Sequence, residues 1–187
     1  MTRNDILAAS LVNAYPSPFR KALALVLEWE CEYESDGVTI RWENDPDDSG
    51  GETFAGLTKR DDGISFDSDA HWIALRYFQG YWNNLGGVQV LVQEMLFFMG
   101  VNLGSEESIR CLQFALNDYG CRLIVDGKLG EQTRSASFSV SDTTGLCMAF
   151  LQKVRRHYER IVSDHPTQSK FLKGWENRAE AAKSLLV

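Results

Sequence analysis

Glu30 is the residue of this chain best placed for acid–base chemistry. Phe19, Leu23, Val26, Glu30 and Tyr33 are spaced four, three, four and three apart, so a helix aligns all five on one face and sets a carboxylate in an apolar stripe. Burying a carboxylate disfavours its ionised form, which is how an enzyme keeps a carboxylic acid protonated near neutral pH as a general acid. A glutamate near the end of an amphipathic helix also commonly stands at the solvated edge of the stripe, so the helix alone leaves both readings open. Asn44 to Thr53 then reads Asn-Asp-Pro-Asp-Asp-Ser-Gly-Gly-Glu-Thr, with three aspartates in four positions. A calcium loop is one reading, but the EF-hand periodicity with its central Gly and closing Glu is missing. In the other, one aspartate faces Glu30 across a sugar, two carboxyls flanking a glycosidic bond.

The elements that must position these groups are mostly helical. Asn4 to Tyr15 reads as a short helix closed by Pro16 and Pro18, with Ser17 capping a second helix that begins near Phe19 and carries Glu30. Glu34 to Gly63 is a long loop or small hairpin, with a short strand predicted at Val38 to Trp42. Helices are predicted over Asp69 to Tyr81, Val88 to Met99, from Ser105, around Glu131 to Ser137, Thr143 to Val162, and Lys170 to Leu186. Ile109, Leu112, Leu116 and Tyr119 give the Ser105 helix its apolar stripe, and Glu106 and Glu107 suit its first turn. The expected fold class is mainly α, with a loop or hairpin at the active site.

At 187 residues and 44% hydrophobic content, the chain can bury one substantial core or two lobes. Its net charge of −7 and the lack of a Lys/Arg run exclude an electrostatic footprint for nucleic acid. The densest basic stretch, Arg155, Arg156 and Arg160, reads as a solvated helix face. Val88 to Met99 is interrupted by Gln89, Gln93 and Glu94 and is far shorter than the roughly 20 apolar residues of a membrane helix, so no membrane insertion is expected. Cys31, Cys111, Cys121 and Cys147 read as free thiols, and neither they nor His71, His157 and His165 have metal-ligand spacing. No metal and no cofactor is expected. Residues 1–17 lack the pattern of a signal peptide.

Beyond Glu30-Cys31-Glu32-Tyr33 and the Asn44 to Thr53 loop, the chain carries Gly56-Leu57-Thr58, Tyr81-Trp82, Val101-Asn102-Leu103-Gly104, Leu112-Gln113, Val125 to Gly130 and Phe171 to Arg178. In this order the motifs resemble those of the glycoside hydrolase family 108 N-acetylmuramidases, lysozyme-like enzymes of phages and bacterial secretion systems. The resemblance implies a lysozyme-like helical catalytic region over residues 1–100 and a helical peptidoglycan-binding region over 101–187. It also implies hydrolysis of the β-1,4 bond between N-acetylmuramic acid and N-acetylglucosamine. Glu30 then corresponds to the general acid, Asp48 to the opposing carboxylate and Thr53 to the residue that positions water. Carboxyls about 5 Å apart would retain the anomeric configuration, and more than about 6.5 Å apart would invert it.

Tyr33 and Trp82 are the aromatics assigned to sugar contact, and Asn102 is assigned to substrate through its motif. The partner implied is the peptidoglycan glycan strand, met by a monomer made in the cytoplasm and brought to the wall by a holin or dedicated export. The chain departs from the family pattern in three places. Seventeen residues separate Glu30 from Asp48 where the pattern has eight, so about nine are inserted between Tyr33 and Asn44; a looped-out insertion can leave both ends in place, since each doubling of loop length costs only about 0.6 kcal/mol. Cys31 and Glu32 replace paired glycines, and Ala55 replaces a tyrosine. The alternative is therefore a wall-binding or secretion-associated module with weak or no hydrolysis.

Overall fold

Pro16 marks the break between the first two helices, and Pro18 lies in the first turn of the second. Helix α1, Arg3–Val12, opens on a capping box in which the Thr2 hydroxyl accepts from the Asp5 amide and the Asp5 carboxylate accepts from the Thr2 amide. Helix α2, Ser17–Glu30, begins with Pro16 at the cap position and no side-chain cap. Ser17 is thus inside the helix rather than capping it, because Pro18 in the first turn has no amide to leave unsatisfied and is already set to helical φ. The computed structural model describes residues 1–43 and 52–187; residues 44–51 lie outside the described residues, and with them Asp48 and most of the Asp-rich loop weighed as a calcium site.

Helix packing divides the chain into two compact units, Met1–Asn83 and Asn84–Val187. In the first, α1 packs on α2 and on α4, Ala70–Tyr77. Phe19, Leu23, Val26, Leu27, Ile6, Ile73 and Tyr77 fill the space between them with no exposed surface. Helix α4 starts where expected, at the Asp69 cap. Its predicted last turn, up to Tyr81, is instead a π-helical turn, Phe78–Trp82. Tyr15, Phe19, Phe78 and Trp82 interlock there, with Tyr15 stacked on Phe78 at 4.6 Å and Phe19 edge-on to Phe78 at 5.1 Å and to Trp82 at 5.6 Å. The only sheet among the described residues is an antiparallel hairpin of β1, Thr53–Phe54, and β2, Leu57–Thr58, followed by the one-turn helix α3, Lys59–Asp62. Val38 to Trp42, predicted as a strand, forms only single bridges, Thr39 to Thr2 and Ile40 to Tyr33.

The second unit is built around α5, Val90–Leu103, which is buried at Val92 and from Glu94 to Gly100 and is therefore central. It packs on α6, Ser105–Asp118, and on α8, Thr143–Asp164, while α7, Glu131–Ser139, and α9, Ser169–Ala181, flank them. The Asp126 to Gly130 turn is fastened to α6 by one buried side chain: the Gln113 amide nitrogen donates to Asp126 Oδ1 at 2.8 Å and to the Lys128 carbonyl at 3.1 Å, and its oxygen accepts from the Gly127 amide at 2.9 Å. Gly127 has a φ of +74°, and a methyl there would stand 2.5 Å from Glu106 Cγ, so only glycine suits this turn. Among the described residues the fold is mainly α, and no helix is long and apolar enough to cross a membrane. All four cysteines are free.

Candidate functional site

Glu30 is the last residue of α2 and is half-buried. The helix ends there because Cys31 turns into an extended conformation (ψ 120°), its amide still closing on the Leu27 carbonyl at 3.2 Å. The apolar stripe therefore runs through Phe19, Leu23 and Val26 to Glu30, and Tyr33 lies beyond the helix rather than on it. Past Cys31 the chain makes a closed excursion. The Arg41 amide donates to the Glu32 carbonyl at 2.8 Å, Tyr33 bridges Ile40, and Asp36 ties the tip by accepting from the Val38 and Thr39 amides and the Thr39 hydroxyl. These three bonds hold the Asp36 carboxyl down at about 2. The insertion read from the sequence is thus looped out, with its two ends side by side. Glu32, a departure from the family pattern, is solvent-facing and pairs with Arg41 at 3.7 Å.

Glu43 leaves this loop and pairs antiparallel with Thr53, each amide donating to the other's carbonyl at 2.8 and 2.9 Å. Paired residues in such a ladder share a face, so the Glu43 and Thr53 side chains stand together. Trp42 stacks on Phe54 at 4.7 Å, on the alternate positions. From Thr53 the chain runs through β1 to a two-residue turn, Ala55 (φ +50°) and Gly56 (φ +76°), of the kind that closes tight hairpins. This turn comes back onto Glu30. A methyl on Gly56 would stand 2.6 Å from Glu30 Cβ, 2.9 Å from Glu30 Cγ and 2.8 Å from the Tyr77 hydroxyl. That hydroxyl, fully buried, donates to the Ala55 carbonyl at 2.7 Å.

The structure thus brings Glu30 and the hairpin that begins at Thr53 into one place. Glu43 joins them, and nothing in its own spacing marked it in the sequence beyond its position just ahead of the Asp-rich loop. Burial pushes the Glu43 carboxyl above the ordinary glutamate value, with the negative charges of Glu32 and Glu30 adding to it and Arg41 opposing. Burial raises the Tyr77 hydroxyl far more, again with Glu30 contributing, so it remains a neutral donor. Tyr81 is pushed up to about 12 by burial and then by Asp62, whose carboxylate accepts from Arg76 at 3.0 Å and from the Thr58 amide at 2.9 Å. This Asp62–Arg76 pair ties α3 and the end of the hairpin to α4.

Other residues assigned from sequence stand elsewhere. Tyr33 lines a separate cleft of about 310 Å³ with Thr2, Arg3, Asn4, Gly37 and Val38. Trp82 is 5% exposed and spends its ring on Phe19, leaving little surface for a ligand. Asn102 belongs to the second unit, where its side-chain Oδ1 accepts from the Tyr158 hydroxyl at 2.8 Å. The aromatic pair with free ring surface near the hairpin is Trp42 with Phe66, 4.4 Å apart, the latter 71% exposed. No group of three or more His, Cys, Asp or Glu among the described residues is arranged to hold a metal ion.

Residues 107–180 match the family described as "Predicted Peptidoglycan domain". This match supports a peptidoglycan-related function and peptidoglycan as a partner. Among solved structures, the chain is similar to Brucella abortus SagA, with a TM-score of 0.67 and 20% identity over 90% of this chain and 93% of that one; at that identity the likeness speaks for the fold. A search of curated proteins finds no match.

Two outcomes are expected at this site. Gly56→Ala should lower the stability of the first unit by about 1–3 kcal/mol through overpacking and left-handed strain, read by denaturant unfolding. Because the folded-state pKa of Glu43 is raised, its favourable contribution is complete below the ordinary glutamate pKa and is lost as pH rises through the folded value. Glu43→Gln should therefore raise the melting temperature at pH 7, and the gain should vanish below about pH 4.

Proposed function

We propose that this protein is a peptidoglycan hydrolase that cleaves the β-1,4 bond between N-acetylmuramic acid and N-acetylglucosamine, with Glu30 as general acid. The observation that carries this reading is the seating of Glu30. Its backbone is fixed by the last turn of α2 and its stem by the tip of the β1–β2 hairpin, so the carboxyl is held while remaining only half-buried. Such a group gives a proton to the leaving glycosidic oxygen while positive charge grows at the anomeric carbon.

Asp48 supplies the opposing carboxylate in this reading, by its place in the motif. Thr53 orients water from the strand that leads to the hairpin tip, and Glu43 beside it adds negative potential on the same face. Trp42 and Phe66 offer ring faces to the apolar side of a pyranose. The first unit, within the catalytic region expected over residues 1–100, holds the chemistry, and the segment similar to the peptidoglycan domain family holds the polymer. The enzyme acts at the cell wall.

Glu30→Gln should reduce the clearing of purified peptidoglycan suspensions by about 10²–10⁴-fold with an unchanged circular dichroism spectrum and melting curve. Clearing at the unmodified rate would remove Glu30 from the chemistry.

A further inference from the structure

Helices α6 and α8 leave a cleft of about 210 Å³ on the second unit that the hydrolysis reading does not use. Glu107, Cys111 and Phe114 line it from α6, spaced four and three apart; Lys153, Arg156, His157 and Arg160 line it from α8, spaced three, one and three. Each set is therefore one stripe of its helix, and the two stripes face each other. The floor is the buried Cys111, whose thiol burial pushes up to about 12, so it is neutral and no nucleophile. Phe114 is 44% exposed and forms an apolar wall.

The charges are organised around Glu107. Its Oε1 lies 2.9 Å from His157 Nδ1 and 3.3 Å from Arg160, and its Oε2 accepts from Arg110 at 3.2 Å. Lys153 is paired with Asp118 at 2.5 Å. Arg156, exposed, makes no hydrogen bond or ion pair with any described residue. Three cations thus meet one carboxylate in the lining, and one of those cations is uncommitted. The surroundings sharpen the contrast: the first unit has seven Lys and Arg against fifteen Asp and Glu, and the second twelve against eleven. An anionic group is therefore better accommodated by the second unit, at this cleft, than by the first. All seven lining residues fall within the segment similar to the peptidoglycan domain family.

We propose that this cleft seats a carboxylate of the peptidoglycan stem peptide, a step that rests on the peptidoglycan reading above. Arg156 and the free donors of Arg160 take the carboxylate oxygens as charge-assisted hydrogen bonds. Phe114 covers the adjoining aliphatic atoms of the peptide. The sugar–peptide polymer is then held by its peptide at α6 and α8 and cut in its glycan by the other unit, and the attachment weakens with salt.

The test is equilibrium binding of the full chain to a soluble disaccharide-tetrapeptide, which lacks the bond to be cut, in parallel with the same compound carrying amidated carboxylates and with the peptide-free disaccharide. The peptide with free carboxylates should bind at least about tenfold tighter than the other two, and Arg156→Glu, at a position with no partner to lose, should abolish that difference. Equal binding of all three compounds, or an Arg156→Glu protein that binds like the unmodified one, overturns the proposal. So does binding of the peptide-free disaccharide, whose only carboxylate is the lactyl group, that is as tight as that of the peptide and is lost in the Arg156→Glu protein, because it assigns the cleft to glycan. Retention on insoluble peptidoglycan separates the two readings: a chain retained but indifferent to the charge at position 156 loses only the cleft, whereas a chain not retained at all loses the peptidoglycan reading too.

Discussion

The close approach of Gly56 to Glu30 is the constraint on which the first unit depends. A carboxylate at a helix terminus is ordinarily free to swing into water. Here its Cβ and Cγ are pressed by a hairpin tip that has room for a hydrogen and nothing larger. The tip is kept in place by the buried Tyr77 hydroxyl on the Ala55 carbonyl. This bond matters because Ala55, unlike glycine, sits at positive φ at a cost of about 1–2 kcal/mol. The surrounding structure must over-determine such a conformation. The Glu43–Thr53 pair and the Asp62–Arg76 ion pair do so by fixing the hairpin to different neighbours, and the Phe54–Leu57 pair closes it across its own two strands.

The same set of contacts explains how the unusual spacing between Glu30 and the Asp-rich segment is tolerated. The added residues return on themselves through the Glu32–Arg41 and Tyr33–Ile40 pairings, so Glu43 continues from nearly where Cys31 left off. The excursion is stabilised locally by the Asp36 turn and anchored to the first unit by Ile40, which is buried and whose amide donates to the Met1 carbonyl at 3.0 Å. The second unit rests on different interactions: a largely buried helix at its centre, one buried glutamine fastening its glycine turn, and a cationic cleft on its surface.

Much of this was legible in the sequence. The helices follow the apolar periodicity, and Glu30 stands out because it interrupts one. The end of α2 was not legible to the residue, since Tyr33 continues the spacing while the backbone has already left the helix to pair with Ile40. Single bridges such as Glu43–Thr53 have no alternation long enough to leave a pattern, so Glu43 went unmarked. Trp82 and Trp42 look alike as residue types; only tertiary packing buries the first against Phe19 and leaves the second stacked under an exposed Phe66. Asn102 sits in a motif, yet its side chain serves Tyr158. The basic stretch at Arg155 to Arg160 read as a solvated face, because its meeting with Glu107 and Phe114 on another helix is a matter of packing and has no signature along the chain.

The central claim is that this framework delivers a proton to one particular glycosidic bond. Mass spectrometry of the fragments released from purified peptidoglycan by the full chain tests it most directly, since the new reducing end records which bond was cut. The account predicts fragments ending in reducing N-acetylmuramic acid with intact stem peptides. Fragments ending in N-acetylglucosamine, anhydro ends, cleaved peptides with an intact glycan, or no release from a chain that still binds the polymer would contradict it.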